Sequence, residues 1–266
     1  MPGPLTASQV LPHGPLGRLG RELVLLGRVD STNSYLLRRA GALPDGTVAL
    51  AEYQTAGRGR LRRRWQAPRG SAVLASVLLH EPADSPLLAL AGLAAALAAA
   101  RAIERTTSCR PRLRWPNDLT ADRRKLAGVL VEATTLAPHA PRRALVIGIG
   151  INCYQQAGHF GELVEQATSL ELVCPEPIER AAVARELLAC LDAQLDVGPD
   201  RQRWQAEILT AWRARCDDIG RRAELVEDGR TYSGTILDIA ENGSLVVQLD
   251  RGGRRHFEPA TTTRNP

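Results

Sequence analysis

The sequence predicts an α+β fold in which a mixed sheet with helices is followed by a small β domain. Short apolar, β-branched segments of strand length alternate with helical patterns between residues 22 and 212. The last part of the chain changes to short alternating strands punctuated by hairpin turn signals, which are Asp228-Gly229, Asn242-Gly243 and Gly252-Gly253. An apolar content of 44% with only 4% aromatic residues predicts a core built mainly from Leu, Val, Ile and Ala.

The first half of the chain alternates strand and helix signals. Residues 1–22 are rich in Pro, Gly and Leu, which predicts a short, loosely ordered lead. A weak strand follows, and a helix then begins at a polar N-terminus and stops before Gly41. Pro86 is expected to open an Ala/Leu-rich helix, because proline suits the first helical position. The predicted strands of this half are Glu22–Leu26, Thr47–Ala51 and Ala72–Leu79, and a long loop runs from Gln54 to Gly70.

The second half contains three further strand signals and then a helical region. A short strand is ended by Pro116, and two strongly apolar strands follow it. The pattern between Ile178 and Trp212 is helical and is split near Gly198-Pro199. The strands are Arg112–Trp115, Leu126–Ala133 and Ala144–Ile151. We therefore expect a lead at 1–22, a catalytic or binding domain at 23–217, and a small β-barrel or sandwich at 218–266.

The positive charge is concentrated in one loop. Residues 58–64 carry five arginines, and the remaining 29 basic residues match 29 acidic ones. A broad DNA footprint needs phosphate contacts spread over a surface, so this distribution suits one polyphosphate or small anionic ligand better. Five arginines in seven residues repel one another, and we expect the loop at 57–65 to order only when an anion binds.

Other composition features indicate an intracellular, non-membrane protein. The longest apolar stretch, Pro86–Ala100, is shorter than a membrane span and predicts a buried helix. No signal-peptide pattern is visible at the N-terminus. The five cysteines form no CxxC pair, so free thiols in a reducing cytoplasm are the default expectation.

Only one of the 34 basic residues is a lysine, Lys125. Arginine replaces lysine where a solvated charge is enough, but not where a compact ammonium must act as a point charge. Lys125 is therefore a candidate for contact with a reacting or binding atom. The alternative is a surface lysine retained by chance beside Arg123 and Arg124.

Four further segments carry candidate binding groups, each with a plain structural alternative. The segment from Gln54 to Arg60 contains glycines, which expose backbone N–H groups, and arginines, which can donate to phosphate or carboxylate oxygens. The alternative is a solvated or RNA-binding arginine loop. Trp115-Pro116-Asn117-Asp118 offers an amide and a carboxylate, or is a simple turn. Gly148-Ile149-Gly150-Ile151-Asn152 marks a ligand contact or tight sheet packing. Asp30-Ser31-Thr32-Asn33 is a ligand segment or an ordinary helix cap.

Taken together and in this order, these segments resemble the biotin protein ligase family. Lys125-Leu126-Ala127-Gly128 completes the pattern, and Ala167-Thr168-Ser169-Leu170 is a weaker match. The resemblance covers about Gly27 to the C-terminus. It implies a class II synthetase-like catalytic domain and an SH3-like C-terminal β-barrel. It also implies that biotin and Mg-ATP form biotinyl-5′-AMP, which then acylates a lysine of a biotin carboxyl carrier protein.

The resemblance also implies roles for individual residues. The biotin site would comprise Ser31, Thr32, Asn33, Gln54, Gly57, Arg58, Arg60, Lys125 and Gly128. The ATP or adenylate site would comprise Arg60, Trp65, Asn117, Lys125 and Asn152. Catalysis would depend on Lys125, Arg58, Arg60 and Asp118, and Asp118 is also the candidate Mg²⁺ ligand.

The chain departs from the family pattern at Arg62, where members often have glycine, so the loop is more basic here. Only 30 residues precede Ser31, and three helices averaging ~11 residues do not fit there, so we expect no specific DNA binding. A monomer and a homodimer both remain open. The main alternative function is a lipoate or octanoate ligase, and a more distant one is an RNA-binding module. The polar segment Ser31-Thr32-Asn33, together with Gln54, favours a ligand head with hydrogen-bonding groups, which biotin has and lipoate lacks.

Overall fold

The computed structural model describes residues 3–12, 14–136 and 141–264. Residues 1, 2 and 13 of the predicted lead, and residues 265 and 266 of the predicted β domain, lie outside the described residues. Within the described ranges the fold is α+β, as the sequence predicted, with one mixed sheet and a smaller antiparallel sheet.

The large sheet has seven strands in the order β1-β2-β3-β7-β6-β5-β4. Strands β1 and β2 are parallel, and every other neighbouring pair is antiparallel. The strands are β1 Leu23–Leu26, β2 Thr47–Ala51, β3 Ala72–Pro82, β4 Arg112–Arg114, β5 Asp118–Ala121, β6 Arg124–Thr135 and β7 Arg142–Asn152. Strand β5 was not predicted: the turn signal at Asn117-Asp118 hid it, because Asp118 ends the turn and begins the strand.

In the part of the chain that the structure describes, six α-helices accompany the sheets, and the longest one is the core of the fold. Helix α3 is long and apolar enough to cross a membrane by length and composition, but 72% of its most apolar window is buried inside the protein, as a core helix would be. The helices are α1 Ala7–Val10, α2 Thr32–Arg39, α3 Leu87–Thr106, α4 Leu170–Val173, α5 Arg180–Leu195 and α6 Arg201–Arg215. The prediction of a buried Ala/Leu helix after Pro86 is confirmed, and so is the split between α5 and α6.

The N-terminal segment differs from the expectation of a loosely ordered lead. Val10 and Leu19 are buried in the main core. The backbone N–H groups of residues 17, 18 and 19 all donate to the Asp192 carboxylate on α5, at 2.6–2.8 Å. Composition alone suggested a loosely ordered lead, but one carboxylate satisfies three successive backbone donors, which holds residues 17–19 against α5.

The C-terminal region forms a five-stranded antiparallel sheet in the order β11-β10-β9-β8-β12, which fits a small barrel-like module. Its strands are β8 Arg222–Glu227, β9 Arg230–Ile239, β10 Leu245–Leu249, β11 Arg254–Phe257 and β12 Thr262–Arg264. All three predicted hairpin turns join consecutive strands. The module contacts the large sheet where the indole N–H of Trp115 donates to the Gly243 carbonyl at 2.9 Å.

Candidate functional site

The N-terminus of α2 forms a buried polar cluster against β3. Ser31 is the N-cap of α2, and Thr32 donates through both its backbone N–H (2.7 Å) and its hydroxyl (3.1 Å) to Gln54 Oε1. The hydroxyl of Ser76, on β3, lies 2.7 Å from Thr32 Oγ1 and 2.6 Å from Asn33 Oδ1. The segment is thus both a helix cap and part of a hydrogen-bonded cluster, so the two sequence interpretations are compatible.

Asn33 is occupied by the protein rather than open to a ligand. Its amide donates to the Leu130 carbonyl (3.2 Å) and to Glu132 Oε2 (3.0 Å). A Cβ added at Gly148 would lie 2.1 Å from Asn33 Oδ1, so glycine makes room for this side chain. Both Asn33 donors are therefore used within the protein, and its geometry is that of a residue that supports the polar cluster.

The arginine loop forms a narrow hairpin between Gly57 and Trp65. The backbone N–H of Trp65 donates to the Gly57 carbonyl at 3.0 Å, and a Cβ added at Gly57 would lie only 2.3 Å from the Trp65 carbonyl oxygen. At the tip, Leu61 and Arg62 have φ values of 51° and 62°. This left-handed backbone costs a non-glycine residue about 1 kcal/mol, so arginine in place of the frequent family glycine adds strain as well as charge.

Two arginines of the hairpin point to different partners. Arg58 contacts Glu132 Oε1 at 2.5 Å and Ser34 Oγ at 3.3 Å. Arg60 donates to Asn117 Oδ1 at 3.2 Å and to two backbone carbonyls of the C-terminal module, those of Pro259 and Thr262. The loop therefore bridges α2, β6 and the small sheet.

Arg60 remains a cation in this environment. Burial lowers the pKa of Arg60 to about 10; the nearby Asp118 carboxylate opposes this decrease, and Arg63 adds to it. At neutral pH the guanidinium is still protonated, and it lies in a partly desolvated position where an anionic group would be held strongly.

Lys125 and Asp118 are brought together by a tight β-hairpin. Asp122 and Arg123 both have positive φ, as a two-residue hairpin turn between antiparallel strands requires. As a result Lys125 Nζ lies 2.6 Å from Asp118 Oδ1. The two predicted catalytic residues therefore form an ion pair, and each stays partly accessible, with side-chain exposures of 36% and 24%.

Trp65 covers the two glycine positions that the sequence singled out. A Cβ at Gly150 would lie 2.5 Å from the indole ring, and one at Gly128 would lie 3.2 Å from both the ring and Lys125 Cε. Lys125 Nζ lies 5.8 Å from the centre of the Trp65 ring, within cation–π range. The glycines thus let an aromatic ring and the ammonium pack closely on the sheet surface.

Asn117 and Asn152 each donate their side-chain amide to a backbone carbonyl. The Asn117 amide donates to the Val129 carbonyl at 2.6 Å, and its Oδ1 receives Arg60. The Asn152 amide donates to the Thr168 carbonyl at 2.9 Å, and the segment at 166–168 pairs with the backbone of Lys125. Asn152 therefore supports Lys125 through the 166–168 segment.

Sequence reasoning missed three contributors to the site. Ser76 lies inside an apolar strand, where a single hydroxyl was the available signal. Glu132 ends the Lys125–Glu132 segment and contacts both Asn33 and Arg58. The turn at 258–262 approaches from the C-terminal module, and no local pattern indicates that contact.

The donor set does not form a protein-enclosed metal site. Among residues 3–12, 14–136 and 141–264, no group of three or more His, Cys, Asp or Glu side chains could hold a metal ion. Asp118 supplies one carboxylate, which pairs with Lys125. This fits only a cation whose other ligands are substrate phosphates and water, as Mg²⁺ accepts.

The arrangement is suited to joining two anions. A compact ammonium packs against a surface of glycines and one indole ring, a carboxylate accompanies it, and the Arg60 guanidinium lies near that carboxylate. Cations placed in this way reduce repulsion between a carboxylate and a phosphate, and they stabilise charge that grows on phosphoryl oxygens.

Comparisons with known proteins agree with this chemistry. Residues 25–152 match the biotin/lipoate A/B protein ligase family. The chain is 34% identical to the biotin–[acetyl-CoA-carboxylase] ligase of Mycobacterium tuberculosis, over 88% of this chain and 85% of that protein. It is 32% identical to the bifunctional ligase/repressor BirA of Escherichia coli, over 92% of this chain and 74% of that protein.

A solved structure shares the fold. The biotin protein ligase of Aquifex aeolicus, in complex with biotin and ATP, superposes with a TM-score of 0.76 at 24% identity, covering 92% of this chain and 99% of that one. The sequence identity over most of each relative and the shared fold show that the chain belongs to the biotin protein ligase family.

Proposed function

We propose that this protein uses ATP to activate biotin and transfers it to a lysine of a biotin carboxyl carrier protein. The chain is a ligase, as its family membership indicates, and curated relatives carry the name biotin–[acetyl-CoA-carboxylase] ligase. The observation that carries the residue-level proposal is the Lys125–Asp118 ion pair packed against Trp65, with Arg60 beside it.

In the first step, a biotin carboxylate oxygen attacks the α-phosphorus of ATP. A new C–O–P linkage forms, the bond to the β-phosphate bridge breaks, and pyrophosphate leaves. Lys125 leaves Asp118 and lies between the carboxylate and the α-phosphate, where its charge counters the repulsion of two anions. Arg60 and Arg58 hold the outer oxygens, and the hairpin limits the entry of water.

In the second step, the amine of the acceptor lysine attacks the biotinyl carbonyl and AMP leaves. The amine must lose a proton, and the Asp118 carboxylate beside Lys125 takes it. Once Lys125 has turned to the adenylate, Asp118 is free to orient the amine and to accept a hydrogen bond from it. The ion pair therefore connects the two half-reactions through one pair of side chains.

The head of biotin is assigned to the cluster at the start of α2. Gln54 Oε1 is used by Thr32, but among the described residues no acceptor lies within hydrogen-bonding distance of its Nε2, which remains available to a ureido oxygen. Thr32 Oγ1, a donor and acceptor, is the second candidate. A lipoate tail offers no such polar head, so this cluster favours biotin over the lipoate or octanoate alternative.

The cofactor and partner proposals follow from the same geometry. Mg²⁺ would enter with the ATP phosphates, and Asp118 would supply one carboxylate ligand. We propose that the protein has no specific DNA or RNA binding, because its net positive charge is concentrated in one loop and that loop is part of the site. Five free, buried cysteines are compatible with a reducing cytoplasm.

The test is exchange of labelled pyrophosphate into ATP by the purified protein, with biotin, lipoate or octanoate as the added acid. Exchange that requires biotin supports the proposal. Exchange with lipoate or octanoate alone would support the adenylation chemistry but contradict the assignment of biotin as the substrate. If no acid supports exchange, while the protein binds RNA in a salt-sensitive way, the arginine loop is a nucleic-acid segment.

A further inference from the structure

Arg60 is held largely by the C-terminal module, about 200 residues away in sequence. One Nη2 group donates to the Pro259 carbonyl and to the Thr262 carbonyl, the latter at 2.8 Å, and Nη1 donates to Asn117 Oδ1 at 3.2 Å. A guanidinium has five N–H donors. These contacts use three, and within the described ranges the Nε–H and one Nη1–H have no acceptor at hydrogen-bonding distance. Arg60 can therefore be anchored and still bind a phosphate or carboxylate oxygen.

The turn that supplies these carbonyls is organised by one buried carboxylate. Glu227, at the end of β8, accepts hydrogen bonds from Thr261 Oγ1 (3.0 Å) and Thr262 Oγ1 (2.9 Å) on one oxygen. Its other oxygen binds Arg255 at 2.7 Å. Thr262 is also the register partner of Glu227 in the β12–β8 pair. The carboxylate thus fixes both the position and the rotation of the turn at 258–262.

The charge state of Glu227 suits this role. Burial favours the neutral acid, but hydrogen bonds from Arg255, Thr262 and Thr261 outweigh it, and the pKa of Glu227 lies below its usual range. An ionised carboxylate accepts at both oxygens and donates at neither. If the turn rotated, its carbonyls would leave Arg60, and a partly desolvated guanidinium would lose two of its three acceptors.

We propose that Glu227 is a positioning residue for adenylation: it orients the turn at 258–262, whose carbonyls hold Arg60 beside the reacting anions. The inference rests on the proposed function, and it assigns the C-terminal module a part in the chemistry of the large domain. Glu227 contacts no substrate in this arrangement and acts through Arg60.

The experiment compares Glu227→Gln with the native protein in biotin-dependent pyrophosphate exchange. Glutamine keeps the shape but places an amide donor against Arg255 or the two threonines, so the turn loosens. We expect a loss of about tenfold, equal to about 1.4 kcal/mol, with a larger change in kcat than in the KM for biotin. Asp250→Asn is the matched control, because it also removes one carboxylate–arginine pair from this module, the exposed pair with Arg222. We expect it to change exchange less than twofold.

A double-mutant cycle separates positioning from general stability. In an Arg60→Ala background, Glu227→Gln should cause no further loss, because the group through which it acts is gone. Equal losses in both backgrounds would overturn the proposal. So would Glu227→Gln protein with native exchange.

Limited trypsin digestion reports on the conformation of the arginine loop independently of enzyme activity. Glu227→Gln should increase cleavage within residues 58–64, and Asp250→Asn should not; unchanged cleavage would count against the proposal. If Glu227→Gln fails to fold, Thr261→Val provides the same test, because Thr261 is exposed and loses only one hydrogen bond to Glu227. If the proposed function is wrong, the result will be different: the native protein will show no biotin-dependent exchange, but the difference in trypsin cleavage between native protein and Glu227→Gln will remain.

Discussion

Replacement of Lys125 by arginine keeps the charge and changes its shape, and we expect it to abolish most of the adenylation activity. Lys125 Nζ lies 2.6 Å from Asp118, and the backbone of Gly128 lies so close that an added Cβ would be 3.2 Å from Lys125 Cε. A planar guanidinium is wider than an ammonium and would have to displace Trp65 or the strand. Its N–H groups would then miss the oxygens that gain charge in the transition state.

The expected magnitude follows from the placement of the pair. Both side chains are partly exposed, so the Lys125–Asp118 contact contributes at most about 1 kcal/mol to folding. Loss of one aligned donor to a developing oxyanion costs about 2.7–4 kcal/mol, or roughly 10²–10³ in rate. Lys125→Arg should therefore fold normally, with a shift in Tm of no more than about 2–4 °C, and lose at least about a hundredfold in exchange.

The assay is biotin-dependent pyrophosphate exchange, with thermal unfolding measured in parallel. Arg123→Lys is the control, because it makes the opposite charge-preserving exchange two residues away on an exposed side chain. We expect it to change exchange less than twofold. Lys125→Arg protein within about threefold of native activity would refute the argument that the site requires a compact ammonium.

Two further predictions concern the scaffold. Gly148→Ala should lower the free energy of unfolding by about 1–3 kcal/mol, because the new Cβ would lie 2.1 Å from Asn33 Oδ1. Urea unfolding measures the effect. Gly158→Ala is the control, since nothing lies within 4 Å of the Cβ position there. Asp45 is the second case: burial opposes its ionisation, but Arg18 and the backbone of residue 80 outweigh burial and lower its pKa. Its contribution to stability is therefore present above the unfolded pKa of about 3.9 and is lost as the pH falls through the lower folded value. Asp45→Asn should cost about 1–3 kcal/mol at pH 7 and progressively less below pH ~4; an equal cost at pH 7 and pH 2.5 would contradict the linkage.

Much of the fold could be predicted because its signals are local. Strands β2 and β3, helix α3 and the three C-terminal hairpins follow from apolar periodicity, proline at a helix start and glycine in tight turns. Strand β5 escaped prediction because Asp118 serves both the turn and the strand. Residues 17–19 escaped it because the group that holds them is a carboxylate on α5.

The candidate site divides in the same way. The lone lysine, the arginine loop and the family pattern were sufficient to indicate a ligase and to select Lys125 and Asp118. The roles of Asn33 and Asn152 could not be read in this way, because a motif names a residue and not the direction of its side chain. Their amides are used by the Leu130 and Thr168 carbonyls, and that depends on where those strands and loops lie.

The sequence by itself determined the local elements, the concentration of charge in one loop, and membership of a ligase family. Each of these depends on residues close together in the chain or on a pattern of residue types. Only the tertiary structure decided that Lys125 pairs with Asp118, that Trp65 packs on Gly150, and that Arg60 is held by carbonyls of the C-terminal module. Those contacts join segments that are up to about 200 residues apart, and sheet order and packing bring them together rather than any local propensity.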